Sequence, residues 1–248
     1  MSAAQETGEE IRHRRIIALP LDRREKDLSM TMKTYSEADL EKDVERDQVA
    51  GCFTAAGVAV FPTETFNGLG GNPRSAAVLS RIARLKGRPP AQTVPLLAAG
   101  EQEAVAGVDL SMAGEREMWS LLTGAFWPGP LTVVARAQSG LDPGAVAADG
   151  TLAVRVPGHA AARTLASLCG GLLVATSANR SGRPPAVLPG QAVEGLTDRV
   201  DFLVDGGPTP GGRPSTLVAI TGGRPRLLRQ GAVSSTELAA VLGPGQLA

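Results

Sequence analysis

The chain has 248 residues, 43% hydrophobic and 20% charged, which excludes a wholly disordered protein and allows a sizeable core. Its 25 basic and 25 acidic residues cancel, which excludes coating of nucleic acid by net charge, although a local basic cavity would not register in that sum. Two histidines, two cysteines and 3% aromatic residues argue against a His-rich metal site, a Ser-His-Asp triad, a disulfide framework and a base-stacking platform. Any chemistry then rests on Lys, Arg, Ser, Thr, Asn and backbone amides.

Residues 1–34 are charge-dense, as in IRHRR and LDRREKDLSM, and carry no amphipathic period. They read as a flexible N-terminal extension, with a functional basic arm as the alternative. The apolar stretch from Ile16 to Leu21 contains Pro20 and lacks a signal-peptide core, so a cytoplasmic protein without a membrane span is expected. Ser36 caps a predicted helix running to about Ala56 and ending at Gly57. VAVF, 58–61, reads as a buried strand stopped by Pro62.

Ser75 opens a second helix with Val78, Leu79, Ile82 and Leu85 on one face. Further strands are predicted at VPLLA, LTVVAR, TLAVRV, LLVAT, DFLVD, STLVAI and PRLLR, with helices over 111–123, 159–169, 190–196 and 235–242. This alternation predicts an α/β fold: one domain, 35–248, with a twisted mixed open sheet and flanking helices. Cys52 and Cys169 sit in apolar, small-residue surroundings and read as buried structural thiols.

The loops between these elements carry the chemistry. FPTETFNGLGGNP (61–73), LKGRPP (85–90), TSANRSGRPP (176–185), DGGPTPGGRPST (205–216) and LLRQG (227–231) are rich in Gly, Pro, Ser and Thr and interleaved with cations. Glycine lets backbone amides approach an anion, hydroxyls add neutral donors, and arginine offers a planar fork for phosphate or carboxylate. Together they suit a polyanionic nucleotide and a small carboxylate. Each loop alone is equally readable as punctuation, and Lys86 and Arg88 as cations favoured by a helix C-terminus. Neither GxxxxGK[ST] nor GxGxxG occurs, and Ser177 has no GxSxG context.

Taken in order, PTET-x-GLG, KGRP, FWPGPLT, LAVRVP, ATSANRSG, VDGGPTPGG, PSTLV and LLRQG resemble the YrdC/Sua5 family of threonylcarbamoyl-AMP synthases, over roughly 37–245. The resemblance implies the family fold around a large, positively charged cavity, in a single-domain form. It implies Thr63, Arg155 and Ser215 on the threonine side, and Lys86, Thr151, Ser177, Asn179 and Arg229 on the ATP side. Pro90 and Pro185 would close over the nucleotide, and Lys86 and Arg88 would be catalytic. The implied reaction joins L-threonine, bicarbonate and ATP, with Mg²⁺ on the phosphates, and releases pyrophosphate. Its product would feed the machinery that makes threonylcarbamoyladenosine on tRNA.

Three positions depart from the family pattern. Asn67 stands where Tyr is frequent, Ala99 where His is frequent, and Ala219 where Asp is frequent. They leave two alternatives open. One is an enzyme that adenylates another carbamoylated small molecule. The other is a non-catalytic relative that binds RNA, double-stranded RNA included, in the same cavity. Retention of Lys86, Arg88, Ser177 and Asn179 together favours an enzyme.

Overall fold

The computed structural model describes residues 32–89, 94–196 and 198–248. In chain order the first half runs β1 (Lys33–Ser36), a 3₁₀ turn (Glu37–Glu41), α1 (Asp43–Thr54), β2 (Val58–Phe61), β3 (Gly68–Gly71), α2 (Ala76–Lys86), β4 (Leu96–Ala98), α3 (Glu101–Ala106), β5 (Val108–Asp109) and α4 (Glu115–Phe126). The second half runs β6 (Leu131–Ala137), a 3₁₀ turn (Pro143–Ala145), β7 (Thr151–Arg155), α5 (Ala160–Leu168), β8 (Leu172–Val174), β9 (Thr176–Ser177), α6 (Pro189–Glu194), β10 (Phe202–Asp205), β11 (Thr216–Ala219), β12 (Arg226–Arg229) and α7 (Ser235–Leu242).

Strand β2 shows why so many strand segments are unbroken apolar runs: both of its faces are buried. Val58 and Val60 enter one core with Ile82, Leu96, Leu131 and Val154. Ala59 and Phe61 enter a second core with Phe53, Leu165, Leu173 and Phe202. The period of two sorts β4 and β8 in the same way, with Leu96 and Ala98 facing the first core and Leu97 the second.

The architecture is mixed α/β, as expected, but the strands form two sheets. One runs β1-β10-β2-β3-β9, and the other β12-β11-β6-β7-β4-β8 with β5 paired to β6. Both sheets are mixed, combining parallel pairs (β1–β10, β10–β2, β11–β6, β4–β7) with antiparallel ones such as β2–β3 and β6–β7. The segment read as one strand, LLVAT, passes between the sheets at Ala175. There β3 lies so close to β8 that a Cβ on Gly70 would stand 1.7 Å from the Val174 carbonyl oxygen, which explains a strand spelled GLGG.

Two expectations are corrected. Lys33 and Thr34, assigned to the extension, pair with Phe202 and Leu203 in the first sheet, and Met32 packs against the first core. The single helix expected from Ser36 to Ala56 is divided. Ser36 does act as a cap, but its capping box with Asp39 closes a 3₁₀ turn, and Lys42 is extended (φ −91°, ψ 132°) before α1 begins. Among the described residues, no helix is long and apolar enough to cross a membrane.

Candidate active site

Strand directions bring one edge of the larger sheet to a common point. Arg155 ends β7, Thr132 lies at the start of β6, Ser215 immediately precedes β11, and Arg229 ends β12. Leu97 of β4 pairs with Arg155. The 63–68 loop and the 212–215 segment face this edge and enclose a cavity of about 540 Å³. Its wall includes Thr63, Thr65, Asn67, Arg88, Thr132, Arg155, Thr176, Ser177, Pro185, Ser215 and Arg229, and among the described residues no Asp or Glu lines it.

Each arginine is aimed by a local device. Gly87 ends α2 in the left-handed region (φ 62°), and the Arg88 amide reaches back to the Ala83 carbonyl at 3.0 Å. This Schellman-type turn delivers Arg88 to the cavity. Arg229 Nη2 donates to the Ser215 carbonyl at 2.9 Å. The turn after it is locked by buried Thr216, whose Oγ1 accepts from the Gly231 and Val233 amides and donates to the Val233 carbonyl. A Cβ on Gly231 would stand 2.1 Å from the Pro214 carbonyl oxygen. Ser215 Oγ accepts from Thr132 Oγ1 at 2.9 Å, tying β6 to the loop before β11.

Arg155 is 7% exposed and pairs with Glu64, whose second oxygen, Oε2, is buried without a partner. Burial pushes the Arg155 guanidinium below its usual range, Glu64 opposes that, and the nearby Arg229 charge adds to it. Burial also pulls down Arg88 and Arg229. Three partly desolvated cations facing one chamber, with one carboxylate among them, form a site that an anion would relax.

Lys86 does something else. It is 4% exposed and lies outside the cavity wall. Its Nζ donates to the Ser177 carbonyl, to the Asn179 carbonyl at 2.9 Å and to Asn179 Oδ1 at 3.3 Å. Burial, followed by the neighbouring Arg88 charge, pulls its ammonium down to about 8. Asn179 Nδ2 in turn donates to the Arg180 and Arg183 carbonyls, so its amide braces the 176–185 loop. Asn179 borders a second, smaller pocket of about 300 Å³ behind that loop.

The structure therefore gathers Thr63, Arg88, Arg155, Ser177, Pro185, Ser215 and Arg229 at the main cavity, and holds Lys86 and Asn179 just behind it. Thr63 contributes shape more than a free hydroxyl. Its Oγ1 accepts from the Thr65 and Phe66 amides and donates to the Phe66 carbonyl at 2.6 Å. Thr151 begins β7, opposite Arg136, and its hydroxyl donates to Asp149 Oδ1 at 2.6 Å. It lies at the opposite end of β7 from Arg155, about 13 Å along the strand, and is not part of the main cavity's wall. Pro90 lies outside the described residues.

Thr65, Thr132 and Thr176 were missed, although each stands inside a motif already quoted, PTET, PGPLT and ATSAN. Of the three departures only Asn67 reaches the cavity wall. Ala99 packs against the second core and Ala219 is buried within the β11 pairings.

Comparison with known proteins shows the family. The Sua5/YciO/YrdC family model, described as "Telomere recombination", matches residues 52–231. A Mycobacterium tuberculosis relative is 37% identical over 194 residues, 78% of this chain and 87% of its own. The threonylcarbamoyl-AMP synthase of Thiobacillus denitrificans is 38% identical over 169 residues, 68% of this chain and 87% of its own. The solved structure of Pyrococcus abyssi Sua5 complexed with L-threonine superposes with a TM-score of 0.74 at 29% identity, covering 88% of this chain. This chain spans 62% of that one. The match runs through β2, the arginine-bearing loops and β12, and the chain belongs to the Sua5/YciO/YrdC family.

Proposed function

We propose that this protein is a threonylcarbamoyl-AMP synthase, joining L-threonine, bicarbonate and ATP and releasing pyrophosphate. The observation that carries the reading is the chamber in which Arg88, Arg155 and Arg229 converge among hydroxyls, with no Asp or Glu among the described residues of its wall. A volume of about 540 Å³ lies within the usual span of small-molecule sites. The named synthases among its relatives support the same reading.

The chemistry needs what such a chamber supplies. The threonine amine adds to the carbon of CO₂ derived from bicarbonate, an N–C bond forms, and a proton leaves to water. A carbamate oxygen then attacks the α-phosphorus, the bond from that phosphorus to the bridging oxygen breaks, and pyrophosphate departs with the electron pair. Nucleophile and electrophile are both anionic, so fixed cations and amides lower the barrier without a covalent intermediate. Arg155, with the Thr63 loop and Ser215, takes the threonine carboxylate. Arg88, Arg229 and Ser177 take the phosphates, while Lys86 and Asn179 hold the Ser177 loop. Thr151 has no place in this assignment.

Mg²⁺ enters with ATP. Among the described residues, no Asp or Glu lines the wall and no group of three His, Cys, Asp or Glu is placed to hold a metal. Phosphate oxygens and water would hold the ion, which neutralises phosphate charge. The product is a mixed anhydride, and the class of reaction that consumes it is transfer of the threonylcarbamoyl group to tRNA by a partner.

The test is pyrophosphate release across a panel of amino acids. Release that requires ATP and bicarbonate and is strongest with L-threonine is expected. Asn67 in the wall favours one second reading, a different carbamoylated substrate. Robust release with another acid and none with threonine would establish it.

A further inference from the structure

The side chain of Asn67 is held in one orientation. Its Nδ2 donates to the Val187 carbonyl at 2.9 Å and to the Ala186 carbonyl at 3.3 Å. A flipped amide would set Oδ1 against two carbonyl oxygens, so the O and N assignment is fixed by its partners. The backbone is fixed too, because the Asn67 carbonyl accepts from the Ala178 amide at 2.8 Å. This leaves Oδ1 as a buried acceptor without a partner, on a residue that is 1% exposed and lines the main cavity. Buried polar atoms are rarely left so unless something else completes them.

Resting on the function proposed above, we infer that Asn67 is a specificity-determining residue whose Oδ1 accepts a hydrogen bond from a neutral O–H or N–H of a bound substrate. The inference follows from complementarity. Carboxylate and phosphate oxygens only accept, so they are read by Arg88, Arg155 and Arg229 and are disfavoured beside an amide oxygen. What Oδ1 can read is a donor: the threonine hydroxyl, the adenine amino group or a ribose hydroxyl. An amide locked by two carbonyls cannot rotate to present its N–H instead, so it selects donors over acceptors at that point. A site built to hydrogen-bond a group discriminates against the analogue that lacks it.

The experiment is calorimetric affinity of wild type and Asn67→Leu, which keeps the side-chain shape and removes both polar atoms. The ligands are L-threonine against L-2-aminobutyrate, and ATP against purine riboside triphosphate and the 2′- and 3′-deoxy nucleotides. In wild type one of these pairs favours the donor-bearing ligand by about tenfold or more, and in the variant that preference collapses. The pair that responds names the donor. Thr209→Val is the control: Thr209 Oγ1 also donates to the Val187 carbonyl, at 3.2 Å, so this change loosens the same loop and leaves Oδ1 intact. It should leave every preference at the wild-type value. If Asn67→Leu does not fold, Asn67→Ala carries the same measurement. Preferences unchanged in the Asn67 variants, or lost equally in Thr209→Val, would overturn the inference. Pyrophosphate release by wild type is scored separately, so failure of the proposed function remains distinguishable.

Discussion

Methionine in place of Lys86 keeps an apolar stem in a slot that is 4% exposed and deletes the ammonium. The Ser177 carbonyl retains the Asn179 amide as a partner at 2.9 Å, so the loss falls on the carbonyl and the Oδ1 of Asn179. A buried acceptor left unmatched costs about 1–3 kcal/mol, and removing a buried charge returns part of that. A net loss of roughly 2 kcal/mol lowers the melting temperature of a chain this long by roughly 4–8 °C. The larger effect is on turnover. The released loop carries Ser177, and displacement of a positioning group by about 1 Å costs on the order of a hundredfold in rate.

Titration separates positioning from simple packing. The folded pKa of Lys86, about 8, lies below its unfolded value of 10.5. Between those values the unfolded chain binds the additional proton, so this group's contribution to stability rises with pH across that window. Over the same window the loop loses its charged donor, and turnover falls. Thermal melts and steady-state rates across this range should show the opposed trends in wild type and neither in Lys86→Met. A variant that melts with wild type and turns over within about twofold of it would refute the clamp.

Three further outcomes are expected. Glu64→Gln leaves the buried Arg155 guanidinium without its carboxylate, so denaturant unfolding should lose about 3 kcal/mol; an unchanged midpoint would show that the pair is not structural. Thr151→Val removes a hydroxyl that serves Asp149 at the far end of β7, so ATP affinity and turnover should stay within about twofold of wild type. A large loss of ATP affinity would place Thr151 in the site after all. Gly70→Ala puts a methyl group into the Val174 carbonyl, and soluble yield or thermal stability should fall sharply; a normally stable variant would contradict the close approach of β3 to β8.

Much of the fold was legible because its strands are apolar on both faces. VAVF, LTVVAR, TLAVRV and DFLVD all appear as strands, and Ser75 caps α2 as read. What escaped did so for physical reasons. GLGG carries no strand propensity because its glycines answer to close packing, and the division at Lys42 is a backbone choice inside a helix-compatible sequence. Lys33 and Thr34 looked like the end of a charged tail, since their pairing with β10 is set by residues some 170 positions away.

The site was legible as motifs but not as geometry. The cation pair after α2 pointed to Arg88, and the family resemblance to Arg155, Ser215 and Arg229. That Lys86 spends its donors on the Ser177 loop, and that the Thr151 hydroxyl is taken up by Asp149, needed coordinates.

The proposed activity makes bicarbonate carbon part of an adenylate in the chamber formed by Arg88, Arg155 and Arg229. Its most direct test is mass spectrometry of the nucleotide product formed from ATP, L-threonine and ¹³C-bicarbonate. The account predicts a threonylcarbamoyl-AMP that carries one ¹³C, appears with pyrophosphate, and is lost when any of the three substrates is omitted. Formation of an adenylate without the label, or pyrophosphate release that does not depend on bicarbonate, would contradict it.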